Sequence, residues 1–390
     1  MTPRAETSSG VDRSTLVRLT AAKSIANTAL RWIPPFLPTL EKAFGATTTQ
    51  LTTVIGVGEL AGLSTIGVGR HLDRGNERAV MVGSMGLVAA SSVVALGGSL
   101  ATFAVAFVLL ILGVANFTVA GHAWISNQVD YRWRARSIGL FEVSWALALL
   151  IGAPLIALLI NLFGWRGPFV ALAIGAGLAA VVVAVTLPRP QPSDHTGGQA
   201  LPSLRQGLRV VTPRAWGTLV GSATMAMAGL SIFVISGSWL DDAFGVSTGG
   251  IGAVAVGFGA VELSSSLGSA SFADRIGKLR STLAGLVVLI MGLGIMLSAG
   301  DNLAIGVAGL LVLLLGFEYG FVTSLSLVSE AMPEARGTTL ALANGVGTVA
   351  RAFGAIVGGW LYGRYGVEGT AALSATAAVA SLTCFGLSRR

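Results

Sequence analysis

The chain has 390 residues, 53% of them hydrophobic and only 11% charged, with a formal net charge of +7. Ordinary soluble chains carry about a quarter charged residues, so this composition excludes a soluble globular protein and defines a polytopic membrane protein. The single cysteine, Cys384, excludes an internal disulfide and reads as an inert core residue.

Taken in chain order, apolar stretches long enough to cross about 30 Å of hydrocarbon are predicted at 16–41, 48–70, 78–98, 101–127, 137–163, 166–187, 215–240, 247–271, 280–299, 302–329, 337–362 and 369–388. These are numbered here as segments 1 to 12. The fold class is therefore an all-α membrane protein with twelve transmembrane helices in two pseudo-symmetric six-helix bundles. The bundles are 1–187 and 214–390, separated by a polar linker at 188–213 that holds Pro188, Pro190, Pro192, Gly197, Gly198 and Pro202. Met1 to Asp12 is polar, and segment 1 is too long for the apolar core of a cleaved signal, so it is expected to stay in the protein. The many glycines lie inside apolar stretches, where close packing between helices explains them.

Basic residues gather on one side of this topology. Arg4, Arg13, Arg18 and Lys23 precede or open segment 1; Arg70, Arg74 and Arg78 follow segment 2; Arg132, Arg134 and Arg136 follow segment 4; Arg275, Lys278 and Arg280 follow segment 8. With the linker arginines, Arg336, Arg389 and Arg390, that side holds 20 of the 25 basic residues. The positive-inside rule makes both termini cytoplasmic. Loop charge of this kind accounts for the basic balance without a nucleic-acid partner.

The two halves repeat one signal. Ala43-Phe44-Gly45 leads through an apolar helix to Asp73-Arg74, and Ala243-Phe244-Gly245 leads through another to Asp274-Arg275. The loops read Gly69-Arg70-His71-Leu72-Asp73-Arg74-Gly75-Asn76-Glu77-Arg78 and Ser271-Phe272-Ala273-Asp274-Arg275-Ile276-Gly277-Lys278. They resemble the G-x-x-x-D-R-x-G-R/K loop of the major facilitator superfamily, and the arrangement of twelve helices in two sixes resembles that family over the whole chain. The second copy keeps Asp-Arg-x-Gly-Lys but begins with Ala270, and the first has Asn76 where the later Gly is expected. An Asp at such a helix end can accept backbone N–H groups and pair with Arg, latching two bundles together. The predicted cytoplasmic gate is Asp73, Arg74, Arg136, Asp274, Arg275 and Arg336.

Charges within the segments are sharper evidence, since a lone charge at mid-bilayer costs several kcal/mol. Each half buries one Arg and two Glu: Arg31, Glu59 and Glu142 in the first, Glu262, Glu318 and Arg351 in the second. Pairing is expected within each half, Arg31 with Glu59 or Glu142 and Arg351 with Glu318 or Glu262, and these clusters are the candidate proton-coupling groups.

Polar stripes at helical spacing supply cavity candidates: Ser24, Asn27 and Arg31 on segment 1; Thr118, His122 and Ser126 on segment 4; Tyr319, Thr323 and Ser326 on segment 10. The resemblance implies that segments 1, 4, 7 and 10 line a central cavity. Trp145 joins them, one turn from Glu142, and His122 can bind or relay a proton. No second His or Cys stands near it, so no metal site is expected. Pro34, Pro35 and Pro38 break the outer half of segment 1. In segment 5, Gly152-Ala153-Pro154-Leu155-Ile156-Ala157 keeps the proline but loses most glycines of the motif that the family's drug and proton antiporters carry.

The function expected is secondary active transport of a small amphipathic organic solute across the bacterial cytoplasmic membrane by alternating access. Proton-coupled export is the first reading and uptake of a metabolite or organic anion the second. The partners are the solute, protons and the lipid bilayer; the chain is expected to be a monomer, with no cofactor and the proton gradient as driving force. An enzyme would need a nucleophile or metal ligands beside His122, and a non-transporting receptor would need a soluble output domain.

Overall fold

A computed structural model describes residues 13–187, 211–332 and 336–388. The predicted linker, up to residue 210, lies outside the described residues. Among them there is no strand, and ten helices are long and apolar enough to cross a membrane by length and composition.

Local sequence decides where the helices start, stop and bend. Helix α1 spans Arg13–Arg31 and ends in a turn over 32–36, because Pro34 and Pro35 supply no N–H to continue it; α2 resumes at Leu37–Phe44. Both Ala-Phe-Gly repeats are helix stops. Gly45 and Gly245 adopt left-handed φ of 59° and 64°, and each N–H returns to the last helical turn. Thr47 then opens α3 (Thr48–Glu59) with a reciprocal capping box to Gln50. A 3₁₀ turn at Leu60–Ser64 leads into α4 (Thr65–Leu72).

Helices α5 (Glu77–Ala95) and α6 (Leu100–Gln128) follow. The fifth predicted segment is α7 (Tyr131–Leu147), a π turn at Ala148–Gly152 and α8 (Ala153–Phe163). Pro154 stands at the first turn after that register change, where its missing N–H is tolerated. Then come α9 (Arg166–Thr186), α10 (Pro213–Phe244), α11 (Thr248–Ile276), α12 (Lys278–Leu297) and α13 (Leu303–Glu330). The last helix, α14 (Arg336–Leu387), is interrupted by Gly366 at φ 66° and ψ −159°.

The halves of the chain meet along specific helix pairs: α3 against α14, α11 against α7, the π turn and α8, and α2 against α10. Glycines allow the close approaches. A side chain at Gly237 would strike the Pro34 and Pro35 carbonyls, one at Gly359 would strike Thr52, and one at Gly259 would meet Leu150 and the Ala146 carbonyl. Within each half, aromatic rings fill glycine notches, as Phe141 does at Gly121 and Phe317 at Gly229.

Candidate functional site

Two ion pairs within the spans cross from one half of the chain to the other. Arg31, the last residue of α1, makes a bidentate pair with both carboxylate oxygens of Glu262 on α11, and both residues are buried. The same guanidinium donates to the Trp145 carbonyl at 2.9 Å, stacks 4.3 Å from the Trp145 ring and lies 5.6 Å from that of Phe233. Glu318 is within electrostatic reach of both Glu262 and Arg31. On the opposite flank, Arg351 of α14 donates from Nε to Glu59 at 3.1 Å and from a terminal nitrogen to Thr348 at 3.0 Å.

This corrects the expectation that pairing stays within each half. Both arginines reach over the interface, because α11 and α3 turn their carboxylates toward the opposite half rather than toward their own bundle. A buried pair joining the halves has a different consequence from one within a bundle. It must be broken or slid when the halves move.

Glu142 is held by Lys23, a cation that its position near the start of segment 1 groups with the flanking charges. Lys23 lies in the interior of α1, 1% exposed, with Nζ 2.5 Å from Glu142 Oε1 and 4.2 Å from the centre of the Phe141 ring. His122 Nε2 stands 2.6 Å from the same oxygen. Phe141 positions the group: its ring fills the notch at Gly121 on α6 and sits edge-on to His122, which fixes α7 against α6 with Glu142 one residue on. The Glu142 side chain is 43% exposed and His122 39%, so a carboxylate and an imidazole at membrane depth face open space while their lysine partner is sealed. The signal for Lys23 was its place within 16–41, well past the first turn of the helix.

The polar stripes divide. Asn27 is fully buried and donates to Ser144 at 3.1 Å, while its carbonyl oxygen has no partner among the described residues. Thr323 is buried and bonded to Ser269 at 3.0 Å, so it joins α13 to α11 rather than facing a solute. Ser24 and Thr118 donate to carbonyls of their own helices. Ser126, Tyr319 and Ser326 are half-buried, and Trp145 is exposed beside Arg31. The structure thus gathers Arg31, Trp145, Glu262 and Glu318 at one level and Lys23, His122 and Glu142 about two turns of α1 away.

The two ends of the molecule differ. At the Gly45 end the halves are joined: Lys42 pairs with Asp241 at 2.7 Å, Ser238 donates to Glu41 at 2.7 Å, and Thr49 donates to the Gly359 carbonyl at 3.1 Å. Tyr362 donates to Asp242 beside them at 2.7 Å. The hydrogen bond to Asp241 raises the Lys42 pKa, so this contact is complete at neutral pH and is lost only as alkaline solution removes the proton. At the Asp73 end, Asp73, Arg74, Arg136 and Arg275 are all exposed, and no ion pair joins them among the described residues. The side chains of Asp274 and Arg336 lie outside the described residues.

A multi-pass helical protein whose halves meet over one buried and one half-buried ion pair, and are joined by polar contacts at the Gly45 end, has the build of a membrane transporter. The sequence pattern of the Major Facilitator Superfamily matches residues 19–355 and 224–390, and the chain belongs to that family. It is 25% identical over 350 residues to the MFS-type transporter YwfA of Bacillus subtilis (strain 168), covering 86% of this chain and 82% of that one. It is 23% identical over 337 residues to YceJ of the same organism, covering 85% and 84%. Among solved structures, a bacterial homologue of the human lysosomal transporter Spinster, in an inward-facing and occupied conformation, superposes with a TM-score of 0.75 at 16% identity over 97% of this chain and 96% of that one. A D-xylose-proton symporter gives 0.74 at 16% identity over 94% and 96%. The family makes this chain a secondary transporter rather than an enzyme, and a multi-pass membrane protein with bacterial relatives.

Proposed function

We propose that the protein is a proton-coupled transporter of a small amphipathic organic solute, that it works by alternating access, and that Glu142 is where the coupling proton binds. The observation that carries this is the exposure of the Glu142 carboxylate within the membrane-spanning part of α7, bonded to His122 and Lys23. A titratable group at that depth with open space beside it can exchange protons with one side of the membrane. The reading includes twelve spans, with α1 and α2 together as the first and α14 as the last two, in two six-helix bundles with cytoplasmic termini. The Asp73 end is then cytoplasmic and the conformation inward-facing.

Apolar walls with few anchoring groups favour export. One specific observation favours uptake of an organic anion: the carboxylate that would bind the proton is itself held by two potential cations, which it would release on protonation. Proton and anion would then travel together, inward under the usual gradient, and we take this as the direction the geometry supports better. The test is transport in proteoliposomes with an imposed proton gradient. Glu142→Gln should abolish uphill accumulation while keeping solute exchange at equilibrium; undiminished uphill accumulation in that variant would remove Glu142 from coupling.

A further inference from the structure

The bonding of Glu142 has an asymmetry that bears on the solute itself. Lys23 Nζ and His122 Nε2 converge on one oxygen, Oε1, and no bond to Oε2 is present among the described residues. The carboxylate is thus held at one corner by two donors, its other oxygen turned away from them. Lys23 cannot reach another anion, being buried in α1 with Phe141 beneath it. Removing the negative charge of Glu142 therefore leaves a sealed ammonium uncompensated, a state that costs several kcal/mol unless another anion takes the vacated position.

We propose that Lys23 and His122 form the anion subsite of the transporter, that Glu142 occupies it in the solute-free state, and that the solute is an organic monoanion whose carboxylate replaces that of Glu142. This rests on the coupling role given to Glu142 above and adds the substrate class to it. The exchange balances in charge: a proton from solution binds the Glu142 carboxylate, the neutral side chain leaves, and one solute carboxylate accepts the bonds from Lys23 and His122. One proton accompanies one monoanion. The charged groups facing this position from the packed helices are Lys23 of α1 and His122 of α6, with the next ionisable layer, Arg31 with Glu262 and Glu318, already internally compensated in its Arg31–Glu262 pair. That leaves the ammonium of Lys23 to be matched when Glu142 is protonated, which selects monoanions over dianions and rejects cations. The exposed ring of Trp145 at the neighbouring level suits an apolar or aromatic body attached to the carboxylate.

The probes are benzoate and the straight-chain monocarboxylates from acetate to octanoate, with benzylamine and benzyl alcohol as cationic and neutral shapes and phthalate as the dianion. Binding is read without any gradient, by thermal shift and by quenching of tryptophan fluorescence on the purified full chain. At least one monocarboxylate should bind the wild type more tightly as pH falls toward 5.5, whereas the amine, the alcohol and phthalate should not. Glu142→Gln should bind that monocarboxylate about tenfold more tightly at neutral pH and lose the pH dependence, while Lys23→Met and His122→Gln should each weaken it about tenfold or more. Lys23→Arg, which keeps the charge, should retain binding and shows that loss in the methionine variant is not misfolding. Binding of none of the monocarboxylates, preference for the amine, or unchanged affinity in a folded Lys23→Met chain would overturn the proposal. Those results leave the coupling role of Glu142 standing, since that is judged by uphill transport in Glu142→Gln alone.

Discussion

Arg31 holds the interface through four partners at once: two oxygens of Glu262, one backbone carbonyl and the face of an indole. Glu262 is the carboxylate bonded to this guanidinium, with Glu318 only within electrostatic reach. Glu262→Gln should therefore lower stability by about 3 to 5 kcal/mol, the usual cost of orphaning one partner of a buried pair. Replacing both, Arg31→Met with Glu262→Met, should recover most of that loss while arresting transport. Thermal unfolding in detergent checks the first two outcomes, and a double variant no more stable than Glu262→Gln would show that the pair is not what the arginine contributes. The presence of these charges at membrane depth was legible from the sequence, because any Arg or Glu inside an apolar segment must be paired. Their partners were not, since spacing along one helix says which face a residue occupies and nothing about which helix that face meets.

At the scale of elements, the breaks were easier to read than the surfaces. Pro34 and Pro35 announce the turn that ends α1, and the paired Ala-Phe-Gly signals mark the left-handed caps at Gly45 and Gly245. The Asp-Arg loops also separate at this scale: Gly277 takes φ 95° in the second copy, whereas in the first the positive φ falls one residue earlier in register, at Gly75. That shift is why Asn76 stands where the pattern expects glycine. The notch at Gly121 carried no such signal, because its importance comes from the Phe141 ring on a different helix. Gly121→Ala would put a methyl group into that ring, so we expect about 1 to 3 kcal/mol of destabilisation from overpacking. Transport should fall with it, as Phe141 carries Glu142 and sits against both Lys23 and His122. Phe141→Leu in the Gly121→Ala background relieves the clash and should restore stability but not the pH dependence of transport, which separates the packing role of the ring from its placement of the carboxylate.

Over the whole molecule, motif and charge coincide at the Asp73 end, yet the halves are joined at the Gly45 end by contacts with no motif. Lys42, Asp241, Ser238 and Glu41 are ordinary residues at helix ends, whereas the glycines of α14 that let it approach α3 signal close helix packing without naming the partner helix. If the joined Gly45 end must part for the solute to enter or leave there, fixing it shut should stop the cycle. A Cβ at Gly363 would lie 3.8 Å from that of Thr49, the separation favoured by an unstrained disulfide. In a Cys384→Ala background, Thr49→Cys with Gly363→Cys should therefore oxidise readily and in high yield. The oxidised protein should lose nearly all transport and regain it on reduction, while each single variant transports in both conditions. Solute binding from the Asp73 end should survive oxidation, because the helices carrying Lys23, His122 and Glu142 are not the ones tied. Transport by the fully oxidised double variant at the reduced rate would mean that this end is a permanent seam, and that the opening on that side must be sought between other helices.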